Sequence, residues 1–531
     1  MKIPFRLYPR LYPQSYPQSY RFDLAWLCSL FLLCYLMLLG AHGLIDPDEG
    51  RYSSVSVAMW QSGHWIVPHV NGAVFLDKPI LFYWLQAIAL FLFGLSDWSL
   101  RLFPALFSVM AGLSLYVTGR FVWNRRVGIL ASLIWISSPL VFGVSHFANM
   151  DILVASNVTL SIDALLCALY ALEVKKNLRR CQQWMGVAYS FSALAFLTKG
   201  LIGLVFPGGV LVFWLLAYRA WYRLRHLMCI RGVLWILLLI LPWMVMIQLK
   251  EPWFFHYFFI YQQFDRFLES NFNQQQPVLF YVGLVLVGSI PWVYWMVQMC
   301  FSMVRRVWRE KKLLCFQDPW VAFLGIWFWM ILIFFSIPKS KLPGYIVPVF
   351  APLSLLLGIY LDGVVAAKMS RKNFRTMIAS CFGGMILLEW VGLWMMPHFP
   401  VNTLNPLMVK TQSCAPKTGR VVSFEMYYQA LPVIYGHPVI VVANWQDPKS
   451  IMANDDWRRM LYQGTRWGQD QAGQKWLWSP EQLQTAWSGG VWRVFMPISL
   501  VSHFEKTYAG SVLCGEYNGI ALVRSPEKLK N

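Results

Sequence analysis

Apolar residues run along this chain in long blocks, not in the alternation of a strand or the narrow stripe of a surface helix. Blocks of about 16–22 residues recur across the first 400 positions, and each is long enough, or nearly so, to cross a bilayer as a helix. The first block predicts a span over 23–43 and the second a span over 99–119. Between them, Ile80–Phe93 reads as a juxtamembrane or re-entrant helix. After residue 403 no block can span. Short apolar runs there predict strands at 421–424, 439–443, 491–496 and 520–524, with helices at 451–462 and 480–486. The pattern predicts a polytopic α-helical membrane protein of about 11–13 transmembrane helices with a C-terminal α/β domain. Its parts are a tail over 1–22, a membrane domain over 23–400 with juxtamembrane helices in 45–98 and 250–277, and a soluble domain over 401–531.

Composition supports the membrane reading. The 531 residues are 57% hydrophobic and 13% charged, against roughly 25% charged in soluble domains. The formal net charge of +20 would suggest a nucleic-acid partner in a soluble protein. Here Lys and Arg crowd into short loops at 120–126, 173–183, 218–231, 304–313 and 367–375, which is topology information and attraction to anionic lipid. These loops and the N-terminus are assigned to the cytoplasm. The segments 45–98, 145–151, 199–201, 250–277, 338–343 and everything after 397 then lie outside. The first block shows no small-residue cleavage site and is read as a span, not a removable signal. The ten cysteines form no CxxC pair, and eight lie in or beside apolar runs, as packing thiols do. Cys414 and Cys514 fall in the C-terminal region. They could form a disulfide if that region faces an oxidising compartment.

The unusual polar clusters gather on the outer side, although only Lys/Arg loops were used to orient the chain. Asp46, Asp48, Glu49 and Arg51 follow the first span at once. Acids at a membrane boundary are costly unless used or paired. Asp48 and Glu49 would also suit the first turn of a surface helix over 49–61. As a site, they offer general-base or cation-stabilising carboxylates, with Arg51 to orient a carboxylate or phosphate. Asp77 and Lys78 open an aromatic stretch containing Tyr83, where Lys78 could equally be a snorkelling residue. Asp151 ends an outer loop and needs a partner in space. Lys199 is a lone cation between apolar helices that calls for an anion. Arg266 is the strong phosphate ligand of the aromatic segment 250–277. Lys339 and Lys341 make a basic turn before Tyr345, which could also be headgroup anchoring. The tryptophans of the C-terminal region could stack on sugars or simply pack. There is no Walker loop, dinucleotide fingerprint or HExxH. His64 and His69 are the one close histidine pair, so a divalent metal is left open.

An ordered set of motifs carries a resemblance: Asp48-Glu-Gly-Arg-Tyr52, Gly63-His-Trp-Ile-Val-Pro68, Asp77-Lys-Pro-Ile80 with Tyr83-Trp84, Arg101-Leu-Phe-Pro104, Phe196-Leu-Thr-Lys-Gly200, Arg266-Phe267, Pro291-Trp292 and Phe334-Phe-Ser-Ile-Pro-Lys-Ser-Lys-Leu-Pro343. Together they resemble the 4-amino-4-deoxy-L-arabinose (lipid A) transferases of Gram-negative bacteria, GT-C glycosyltransferases related to protein O-mannosyltransferases. The resemblance is good over 23 to about 360 and loose over 400–531. It implies transfer of aminoarabinose from an undecaprenyl-phosphate carrier to a lipid A phosphate at the periplasmic face of the inner membrane, with polymyxin resistance as the outcome. It implies no required cofactor. Under it, Asp48 is the catalytic acid of the first loop with Glu49 beside it, and Asp151 a second acid. Lys78, Lys199 and Arg266 lie near the carrier phosphate, and Tyr345 lines a cavity. Asp77 stands where relatives often have Glu, and Gln263 where they often have His. The combined expectation gives Asp48, Glu49 and Asp151 to catalysis, and Arg51, Tyr52, Asp77, Lys78, Tyr83, Lys199, Arg266, Lys339, Lys341 and Tyr345 to substrate binding. The alternatives are the same chemistry on protein Ser/Thr or another lipopolysaccharide site, and a lipid or sugar-lipid transporter, against which the one-sided charges and the absence of internal repeats argue.

Overall fold

The structure, a computed structural model, describes residues 17–228, 230–265, 275–310, 318–414, 419–467 and 473–526. Among these, seven helices are long and apolar enough to cross a membrane, and two more segments qualify if their bent halves are joined. Two further helices, Leu178–Lys199 and the shorter apolar Ile202–Ala217, lie where the sequence reading placed crossings. Such segments satisfy their own backbone hydrogen bonds, the condition for life in hydrocarbon. Their outward faces are apolar: Leu33, Leu249 and Leu388 are all exposed.

Several elements differ from expectation. The first helix runs Pro17–Leu36, beginning inside the expected tail and stopping short of residue 43. Leu38 takes a left-handed backbone (φ 59°), and the chain from 37 to 47 becomes a turn and loop leading to Asp46-Pro47. The stretch expected to cross once over 278–303 is two helices, Phe280–Gly288 and one from Val293, bent by 118°. Pro291 lies at the break, where it cannot donate the helical hydrogen bond. A milder bend of 61° separates Arg125–Ile136 from Pro139–Ser145. Leu81–Phe93 is a helix of 13 residues, too short to cross, in line with the juxtamembrane reading.

A two-stranded hairpin, β1 (His69–Val70) and β2 (Ala73–Val74), lies in the first loop, between the first two long helices. The C-terminal region builds a six-stranded mixed sheet from β3 (Arg420–Phe424), β4 (Ile440–Val442), β5 (Leu477–Trp478), β6 (Trp492–Pro497), β7 (Val512–Tyr517) and β8 (Ile520–Arg524). The order is β5-β4-β3-β6-β8-β7. Strands β5, β4, β3 and β6 run parallel, while β8 and β7 are antiparallel. All four expected strands are present. β5 has only two residues, and β7, an edge strand, is half exposed and lacks an apolar run. The helix expected over 451–462 is two helices, Pro448–Ala453 and Trp457–Trp467. Asp456 ends the continuity by accepting the backbone N–H groups of Arg458 and Arg459 at 2.9 and 3.2 Å.

The sheet domain is not loosely tethered. One core cluster unites Val55, Val74, Phe82 and Leu90 of the first loop with Leu404, Val421, Leu431 and Ile520 of the C-terminal region. Asn71 exchanges two hydrogen bonds with the backbone of Val439, at 2.9 and 2.8 Å. A disulfide joins Cys414 to Cys514 across 100 residues of chain. The C-terminal tryptophans pack on one another: Trp445 against Trp457, and Trp478 against Trp492, with Trp492 buried.

Candidate active site

The helix Asp48–Ser62 starts immediately after Pro47, with two acids in its first turn where the helix dipole favours them. The two acids part company there. Asp48 accepts a hydrogen bond from Arg51 one turn on, at 2.5 Å, and keeps a third of its side chain exposed. Glu49 turns inward and is fully buried. Its carboxylate receives Arg101 Nε at 2.7 Å and Nη2 at 2.8 Å, the Ile45 N–H at 2.9 Å and the Ala148 N–H at 2.6 Å. Both its oxygens are occupied, so the expected catalytic neighbour of Asp48 instead ties the first loop to the helix Asp97–Val122 and to the loop before the helix Met150–Glu173. Arg101 also holds the carbonyl of His42 at 2.8 Å. The sequence reading gave Arg101 no role. The signal was present, because an arginine inside an apolar helix demands a partner.

On the next helices, Lys199 forms a short ion pair with Asp151. Its ammonium lies 4.0 Å from the centre of the Tyr345 ring. Gly344 permits this closeness: a Cβ built there would stand 2.3 Å from Asp151 Oδ2. Asp151, Lys199 and Tyr345 line one narrow cleft with Phe206, Phe335 and Pro348, a polar patch with an apolar wall.

Tyr52 joins the two ion pairs. Burial pushes its hydroxyl up to about 12, while Arg51 and Lys199 pull it down and Asp48 and Asp151 push it further up. Tyr52 is thus within electrostatic reach of both pairs. Burial opposes the charge on Arg51, but Tyr52, Asp48 and Asp77 outweigh it and its pKa rises. Its guanidinium carbon sits 4.9 Å from the Tyr52 ring centre, and its Nε is buried without an acceptor. Tyr83 is fully buried beside Tyr52, ring centres 6.5 Å apart, and its hydroxyl also has no partner among the described residues. Asp77 accepts a 2.6 Å hydrogen bond from the hydroxyl of Tyr257, another residue the sequence reading did not single out. Lys78 is half buried next to it.

The remaining candidates fare differently. Lys341 is buried and donates to the carbonyls of Pro338 and Gln276 at 2.5 and 3.2 Å, which makes it a clip between the segments around 276 and 338. Lys339 is exposed on the same turn. Arg266 and the side chain of Gln263 lie outside the described residues. Rings of His64 and His69 stand 5.9 Å apart, and among the described residues no three His, Cys, Asp or Glu side chains cluster as a metal set.

Comparison with known proteins fits this geometry. The profile of the family described as dolichyl-phosphate-mannose-protein mannosyltransferase matches residues 77–246. The chain is 33% identical over 346 residues to an undecaprenyl phosphate-α-4-amino-4-deoxy-L-arabinose arabinosyl transferase 2 of Proteus mirabilis, covering 64% of this chain and 59% of that protein. It is 32% identical over 382 residues to the corresponding arabinosyl transferase of Pectobacterium atrosepticum, covering 70% and 65%. The match thus spans less than two thirds of these relatives' length. Among solved structures, ArnT from Cupriavidus metallidurans bound to undecaprenyl phosphate superposes with a TM-score of 0.78 at 20% identity, over 97% of this chain and 100% of that one. An oligosaccharyltransferase of Archaeoglobus fulgidus superposes at 0.52 with 12% identity, over 78% and 64%. These matches agree with the resemblance that the ordered motifs carry, and the fold is the one seen in the ArnT structure.

Proposed function

Starting from a multi-span chain that has this fold and shares a third of its aligned residues with aminoarabinose transferases, we propose that it moves 4-amino-4-deoxy-L-arabinose from an undecaprenyl-phosphate carrier to a phosphate of lipid A. The reaction takes place at the periplasmic face of the inner membrane, with the N-terminus in the cytoplasm. The disulfide between Cys414 and Cys514 supports an oxidising compartment for the C-terminal domain. The observation that carries the reading is a set of two acid–base pairs drawn from distant parts of the chain, Asp48–Arg51 and Asp151–Lys199, both within electrostatic reach of Tyr52, whose ring centre lies 4.9 Å from the Arg51 guanidinium.

The chemistry is a single inverting displacement. The bond between the anomeric carbon and the carrier-phosphate oxygen breaks, and its electron pair leaves with the phosphate. A new bond forms from the anomeric carbon to an oxygen of the acceptor phosphate. Lys199 and Arg51 neutralise the departing phosphate as charge develops on it. Asp48, exposed and held in place by Arg51, orients the acceptor and takes its proton where the acceptor phosphate is monoprotonated. Asp151 holds Lys199. The donor is already activated, so no cofactor is needed for the displacement, and a divalent metal stays open.

Purified protein in nanodiscs, given lipid-linked aminoarabinose and lipid A, should form the modified lipid, read by mass spectrometry. Asp48→Asn should lower turnover about a hundredfold, the lower range for loss of a general base. Undiminished turnover would remove Asp48 from its role. The mannosyltransferase profile favours one second reading, transfer to protein hydroxyls. A Ser/Thr peptide added to the same assay separates the two.

A further inference from the structure

The helix Trp457–Trp467 of the C-terminal domain carries a feature that the donor pocket does not use. Arg459, Tyr462 and Arg466 are spaced i, i+3, i+7 and share one face. The guanidinium of Arg459 lies 4.5 Å from the Tyr261 ring centre and that of Arg466 lies 3.8 Å from the Tyr462 ring centre. Among the described residues neither has a carboxylate partner, whereas Arg458 has Asp456 at 3.5 Å. Among the described residues Arg459 Nε is buried with no acceptor, and the hydroxyl of Tyr462, a side chain only 6% exposed, is buried and unpartnered too. Two guanidinium groups without a carboxylate partner among the described residues, and a free hydroxyl among the same residues, share one helix face and form a donor set suited to an anion.

Position says which anion. Tyr261 stacks on Tyr257 with ring centres 5.2 Å apart, and Tyr257 donates to Asp77. Asp77 in turn acts electrostatically on Arg51. The basic face thus continues the rim of the catalytic pocket, on the side supplied by the soluble domain and opposite in character to the apolar-walled cleft at Lys199. The helix is fixed there, because Gly464 packs against the carbonyl of Val74 in the hairpin, where a Cβ would come within 2.3 Å.

We propose that Arg459, Tyr462 and Arg466 form the subsite that binds the phosphate headgroup of the amphiphilic acceptor, separate from the site for the carrier phosphate. This rests on the transferase reading above, and it is tested by binding as well as turnover. The full chain in phosphatidylcholine nanodiscs is titrated with bisphosphorylated lipid A, its phosphatase-treated form, phosphatidylglycerol and inorganic phosphate. Arg459→Gln with Arg466→Gln should weaken binding of bisphosphorylated lipid A about a hundredfold, the scale of two lost charge-assisted hydrogen bonds, and leave the dephosphorylated form unaffected. Arg459→Lys, which keeps the charge and loses the planar fork, should fall between. Arg466→Gln alone changes an exposed residue, leaves the thermal midpoint unmoved and should weaken binding about threefold, a share of the same effect. In turnover, KM for the acceptor should rise and KM for the carrier-linked donor should not. The proposal is overturned if the variants bind lipid A like the wild type, or if phosphatidylglycerol or inorganic phosphate competes as well as lipid A, which would make the face a membrane anchor or a free-phosphate site. Phosphate-dependent lipid A binding that these variants weaken, without any sugar transfer, would sink the transferase reading and leave this subsite standing.

Discussion

Asp48 and Glu49 are adjacent carboxylates with opposite fates, and the difference is one of partners. Glu49 is sealed in by Arg101 and two backbone N–H groups. Removing one member of a fully buried ion pair leaves the other charged and unsolvated, a loss of about 3–5 kcal/mol. Glu49→Gln or Arg101→Met should therefore lower the thermal midpoint in detergent by many degrees, while Asp48→Asn should leave it nearly unchanged and strike turnover. A Glu49→Gln protein with wild-type stability would refute the keystone role. The same logic separates Lys341, bound to carbonyls, from Lys199, which faces the cleft.

The loop from 37 to 47 is the element that connects the first membrane helix to the soluble domain. At its end the Asp46 N–H meets the Asn402 carbonyl at 2.8 Å, and Asp46 Oδ2 accepts from Ala430 N–H at 3.3 Å, while Oδ1 is buried without a partner. Burial drives the Asp46 pKa up to about 7, helped by Glu49 and opposed by the Ala430 N–H and Arg51. A carboxyl whose folded pKa exceeds its unfolded value near 4 binds its proton more tightly in the folded state. Stability from this group is greatest below about pH 4, falls as pH rises toward 7 and is flat above. Asp46→Asn should mimic the protonated form. Its thermal midpoint should match the wild type in acid and exceed it increasingly up to neutral pH. A difference independent of pH would show that Asp46 does not titrate across that range.

At the scale of the whole molecule, the soluble domain and the first loop share one core, so the domain is part of the wall of the site. The disulfide between Cys414 and Cys514 closes a loop of 100 residues, for which the chain-entropy account gives about 4–5 kcal/mol. Replacing both cysteines with serine should lower the unfolding midpoint of the domain and, through the shared core, make the first loop more open to protease. An intact first loop in the double variant would mean that the two regions unfold independently.

The sequence by itself determined what depends on local pattern and on charge counting. The apolar blocks, the Lys/Arg loops, the four buried strands β3, β4, β6 and β8 and the ordered motifs were all legible, because a bilayer demands about 20 apolar residues per crossing and a buried strand needs its own short apolar run. Only the tertiary structure decided which of two neighbouring acids is sealed and which is open. It also broke one expected crossing at Pro291, recruited Tyr257 to Asp77, closed the disulfide, and brought Arg459 to the edge of the site. These outcomes rest on pairings between residues up to hundreds of positions apart, and a charge does not reveal its partner until the chain has folded.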